Sequence, residues 1–146
     1  FDAVWEEEAQ KLEALLSEAG ARTSDPDRKL RAVLTAYFSH FSANREIAQV
    51  LLIEGYSASK NMEGTVQRGI HSFTGMVRDV LPILDNLPKK SGLDAELLAT
   101  ALVGAISQLA MRWHMEGYTT PRADIIRSAM AIMLGLSDRL EDRLTP

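Results

Sequence analysis

The chain has 146 residues, 46% hydrophobic and 25% charged, the length and balance of one globular domain rather than a disordered or fibrous polymer. It has no cysteine, which excludes a disulfide framework and thiolate chemistry and fits a cytoplasmic protein. Residues 1–22 hold six acids against two bases, which accounts for the whole net charge of −4, and no Lys/Arg cluster of the kind DNA contact requires occurs anywhere.

The first predicted helix runs from Phe1 to about Ala19, with Phe1, Trp5, Leu12 and Leu15/Leu16 along one stripe. Glu6-Glu7-Glu8 lies near its start, where the helix dipole favours negative charge. The triplet reads as a solvated face, with a carboxylate cluster for metal as the alternative. Gly20 ends this helix, and Asp25-Pro26 starts the second, a capping carboxylate followed by proline at the first helical position. Leu30, Leu34, Tyr37, Phe38 and Phe41 fall on one side, dense in aromatics for a chain with 6% of them. That side is either plain core or the wall of a pocket. His40 beside it is a satisfied histidine or a ligand contact.

Asn44 or a neighbour caps a short third helix, Arg45 to about Tyr56, carrying Ile47, Val50, Leu51 and Ile53, and polar Ser57–Asn61 breaks it. The fourth begins near Met62, with Met62, Val66, Ile70, Phe73, Val77, Val80 and Leu84 at near-heptad spacing. Gly64, Gly69 and Gly75 within it each cost roughly 1 kcal/mol against alanine. Either they admit a closely packed neighbour, or they keep the helix able to shift. Pro82 predicts a kink or an end near Arg78. A loop from Asn86 to Gly92 follows.

Asp94 caps a fifth helix from Ala95, and Gly117 suits the chain exit at its other end. Leu98, Leu102, Ile106, Leu109 and Trp113 make one apolar face; Leu97, Ala101, Gly104, Gln108, Met111 and Met115 make another. Thr120-Pro121 starts the sixth, where Ile125, Ala129, Ile132 and Leu136 lie beside Ile126, Met130, Met133 and Leu140. The uncharged run from Leu97 to Met111 is 15 residues, short of the ~20 that cross a bilayer, so no membrane role is expected. The reading is an all-α, six-helix bundle whose C-terminal hairpin closes its own core and forms a two-fold, four-helix dimer interface.

The stretch LDAELLATALVGAISQLAMRW…GYTTPRADIIRSAMAIMLGL resembles the last two helices of TetR/AcrR-type transcriptional regulators. FDAVWEEEAQKLEALL is similar to the helix leading out of that family's DNA-binding domain, and NREIAQVLLIEG to a helix flanking its ligand pocket. The resemblance covers most of the chain in consistent order. The family's N-terminal helix-turn-helix has no counterpart here, so residues 1–146 are expected to be a single effector-binding and dimerisation domain whose DNA-binding domain lies upstream. DNA is then a partner only through that segment.

The resemblance implies a pocket for a small, uncharged, lipophilic effector, walled by Tyr37, Phe41, Leu51, Phe73, Val77, Leu102 and Ile106, with His40 and Gln108 as polar contacts. It implies a homodimer through Leu97, Ala101, Gly104, Gln108, Met111, Met130, Met133 and Ser137. The runner-up is a stand-alone helical interaction domain with a solid core. An enzyme of helical-bundle type comes third. The residues three before His40, His71 and His114 are Tyr37, Arg68 and Met111, so no Glu-x-x-His di-iron motif exists. No histidine pair has zinc spacing and no nucleophile elbow is present. No catalytic residue, metal or cofactor is expected.

Overall fold

The computed structural model describes residues 2–55 and 63–144. Phe1, Tyr56, the predicted break at Ser57–Asn61 and Met62 lie outside the described residues, as does the side chain of Val66. The fold is all-α. Among the described residues the helices are α1 (Asp2–Ala21), α2 (Pro26–Ala43), α3 (Arg45–Ala48, running directly into a π-helical turn Gln49–Glu54), α4 (Glu63–Val80), α5 (Ala95–Met115) and α6 (Arg122–Leu144). Short 3-10 turns at Pro82–Asn86 and Lys89–Ser91 link α4 to α5. Among the described residues there is no strand, and no helix is long and apolar enough to cross a membrane.

Local chemistry sets most of the boundaries. The Asp25 carboxylate accepts from the Arg28 N–H at 3.0 Å and opens α2; Asp94 accepts from the Leu97 N–H at 3.0 Å and opens α5. Asn44 departs from expectation: its amide donates back to the His40 carbonyl at 2.9 Å, closing α2 instead of capping α3. Pro82 ends α4, but at Val80, because the Leu81 N–H still reaches the Val77 carbonyl and the proline starts a 3-10 turn. Pro121 stands just before α6, its carbonyl accepting from Asp124 and Ile125. Gly117 and Tyr118 both take positive φ (75° and 62°) to reverse the chain between α5 and α6. The Trp113 indole secures that reversal by donating to the Thr120 carbonyl at 2.7 Å, with the Tyr118 ring set edge-on 4.8 Å away.

α1 and α2, joined by a short turn, lie against each other, while α4 packs between α1 and α5. α6 lies chiefly on α2 and touches α5 over less of its length, so the C-terminal pair is more splayed than a close hairpin. The core runs through the middle of all six helices: Leu12, Leu30, Phe38, Phe41 and Leu84 are fully buried, each contributing about 1.5–3 kcal/mol by leaving water. Tyr37 meets Phe38 and Phe41 edge-on at 5.1 and 4.8 Å.

Met130 and Met133 are 6% and 2% exposed and face this core, which corrects their assignment to a partner. α6 has two apolar faces, and the one bearing the methionines is the one that docks on its own chain. The residues α6 leaves outside include Ile132 and Gly135.

Candidate functional site

Between α1, α2, the π turn, α4 and α5, with α6 touching at one point, the side chains leave a partly open cavity of about 90 Å³. One water needs roughly 10–15 Å³ measured this way, so the space exceeds a packing defect. α1 supplies Trp5, Leu12 and Leu16; α2 supplies Leu30, Val33, Leu34, Tyr37 and Phe41. Leu51 and Leu52 enter side by side from the π turn, whose wider winding brings two consecutive residues onto one face. Ile70, Phe73, Met76, Val77 and Val80 come from α4, Val103, Ile106 and Ser107 from α5, and Met133 from α6. The lining is almost wholly aliphatic and aromatic; Trp5, Tyr37 and Ser107 are its only residues with a nitrogen or oxygen in the side chain.

Tyr37, Phe41, Leu51, Phe73, Val77 and Ile106 all line this cavity. Leu102 does not: it is buried elsewhere in the core, and Val103 and Ser107 take the lining positions on α5. Gln108 is exposed, so it is no cavity contact. His40 lies beside Phe41, ring centres 6.0 Å apart, behind the wall rather than in it. The whole α1 wall escaped the sequence reading. Its signal was present in the Trp5–Leu12–Leu16 stripe, but that stripe is equally what a connecting helix shows.

Trp5 owes its place to two glycines. A β-carbon on Gly55 would come within 2.2 Å of the indole Nε1, and one on Gly69 within 2.4 Å of the far ring edge. The indole is therefore clasped by the end of the π turn and by α4. Gly69 fits the close-packing explanation for the α4 glycines; Gly75 has open space around it.

Two polar networks hold the walls. Thr74, 1% exposed, donates to the Glu96 carboxylate at 2.9 Å or the His71 carbonyl at 2.6 Å. Arg78 bridges Asp85 at 2.6 Å and Glu96 at 3.3 Å, fastening the C-terminal end of α4 to α5. At the other end of α5, His114 is half-buried, with Nδ1 2.7 Å from the Tyr118 hydroxyl and Nε2 2.8 Å from the Gln49 amide oxygen. Burial, then the nearby Arg45 cation, lowers its pKa below the usual imidazole value. Burial also lowers that of His40, against a smaller opposing pull from Glu8. Among the described residues no group of three or more His, Asp or Glu side chains is arranged to hold a metal ion.

Outside the cavity, Leu97 and Met115 are 70% and 74% exposed, and Ala101, Gly104 and Gln108 between them are exposed as well. Met111 and Ser137 are partly covered.

No protein-family model matches the sequence, and no curated protein matches it either. A solved structure does. The fold is shared with FadR, the fatty acid degradation regulator of Bacillus halodurans. The two align with a TM-score of 0.77 over 92% of this chain and 70% of FadR. At 13% identity the likeness to FadR is one of fold.

Proposed function

We propose that this chain is the effector-sensing and dimerisation domain of a TetR-type transcriptional regulator. The cavity carries the reading. A hollow lined by nearly nothing but apolar side chains gives up dispersion contacts unless something lipophilic fills it. The shared fold with a regulator of fatty acid degradation supports the same conclusion. Occupation of the cavity would press on α4 and α1, which form two of its walls, and α1 leads back to the DNA-reading domain expected upstream. The exposed apolar face of α5, together with Ile132 and Gly135 of α6, would pair with its copy about a two-fold axis.

Thermal unfolding tests this reading. Apolar compounds of the cavity's size should raise the melting temperature in proportion to the logarithm of their concentration above Kd. Val77→Trp, which fills the space, should stay folded and lose the response. A uniform absence of stabilisation across such compounds would favour the runner-up, an interaction domain that uses the exposed α5 face alone.

A further inference from the structure

A second hollow, of about 140 Å³, opens between the last turns of α1 and α4 and the first half of α2. It has four wall residues in common with the cavity, Leu16, Val33, Met76 and Val80, so the two adjoin across a single layer of side chains. Leu16 and Val80 are buried, but Val33 and Met76 are only half-buried. Met76, unbranched and ending in a soft thioether, changes rotamer at little cost. The rest of the outer lining differs in kind from the inner one. Lys29 and Asp79 bring one charge of each sign, Ser17 brings a hydroxyl, and Gly20 and Ala21 leave room beside them. The Lys29 stem lies along α1, its Cε 3.3 Å from where a β-carbon on Gly20 would stand.

Resting on the effector reading above, we propose that the two hollows form one two-chamber site for an elongated molecule, its apolar stem in the inner chamber and a polar end without net charge in the outer. The inner chamber rejects an ion, because its lining offers no counter-charge and an unpaired buried charge is costly. The outer chamber carries a cation and an anion that offset one another, so it favours neither sign. Its ammonium donates hydrogen bonds, its carboxylate accepts them and its hydroxyl does both, which matches an uncharged polar end. A compact ligand fills the inner chamber alone. Only a long one reaches past Val33 and Met76.

Titration calorimetry of the whole chain with straight-chain alcohols, from 1-pentanol to 1-decanol, tests the second chamber. Affinity should rise about fourfold per methylene while added carbons leave water, and level off where the site ends. Ala21→Trp, at an exposed position that lines only the outer hollow, should bring the levelling to a shorter alcohol and leave the shortest ones unaffected. Ser17→Trp, exposed one turn earlier on α1, should do the same and carries the test should the first variant fail to fold. Levelling at the same length in wild type and variants would overturn the two-chamber site while leaving the effector reading intact. 1-Decanol should bind at least as tightly as decanoate and decylammonium. Tighter binding of either ion would overturn the net-neutral end. Binding of no alcohol at all would sink the effector reading as well.

Discussion

Trp5 and Gly69 are in such close contact that a β-carbon on residue 69 would stand 2.4 Å from the indole Cη2. The glycine is there because the ring is. Gly69→Ala should therefore destabilise the domain by about 1–3 kcal/mol through overpacking. Gly75→Ala, in the same helix but with open space around it, should stabilise by up to about 1 kcal/mol. Urea unfolding of the two variants reads the signs directly. Stabilisation by both would mean the glycines serve helix mobility and not packing.

Thr74 joins α4 to α5 through a buried hydroxyl facing Glu96. Thr74→Val keeps the shape and removes the hydroxyl's hydrogen bonds. The expected loss is about 1.5–3 kcal/mol, since the acceptor is charged. Thr74→Ser should recover most of it. Equal losses in both variants would assign the effect to the methyl group instead.

His40 and His114 both have folded pKa values below the ordinary 6.5. The unfolded chain then binds protons more readily than the folded one, so stability is full above about pH 6.5 and falls as pH drops towards the depressed folded values. Glu116, whose pKa is lowered by its hydrogen bonds to Thr120, adds a second loss at more acid pH, beginning near its ordinary 4.5. Unfolding free energy measured between pH 7.5 and 5.5 should decline, and His40→Gln should flatten part of that decline. A profile that rises towards pH 5.5 would contradict the burial of both rings.

Gly104 has nothing within 4 Å of where a β-carbon would stand, so the protomer itself accommodates Gly104→Arg. A paired α5 face does not, because two cations would meet across the axis. Sedimentation should show the wild type as a dimer and the variant as a folded monomer. A wild-type monomer at micromolar concentration would remove the α5 face from the proposed interface.

The helix caps were legible because they are local. Asp25 and Asp94 announce their helices within three residues, whatever the rest of the chain does. The cavity was half legible. Tyr37, Phe41 and Phe73 stand out as large side chains on apolar stripes, but Trp5 depends on glycines contributed by the end of the π turn and by α4. Leu102 and Val103 stand one residue apart, about 100° around α5, a difference that periodicity cannot resolve when both are apolar. Leu52 was missed because a 3.6-residue repeat does not anticipate a π turn. Met130 and Met133 went to the wrong side because α6 is apolar on two faces, and only its docking on α2 decides between them.

Were α4 to tilt, the bridge from Arg78 to Asp85 and Glu96 would be its fulcrum. Gly69 lies nine residues nearer the N-terminus, roughly 13 Å along the axis, so a tilt of about ten degrees carries it by about 2 Å while Val77 scarcely moves. The side chains therefore differ in leverage. Ile70 and Phe73 lie on the long arm and Met76 and Val77 on the short one, so a molecule lodged against Phe73 would turn the helix with less force than one lodged against Val77. Trp5, wedged against Gly69, would take up the full swing of such a tilt and carry it to the first turn of α1.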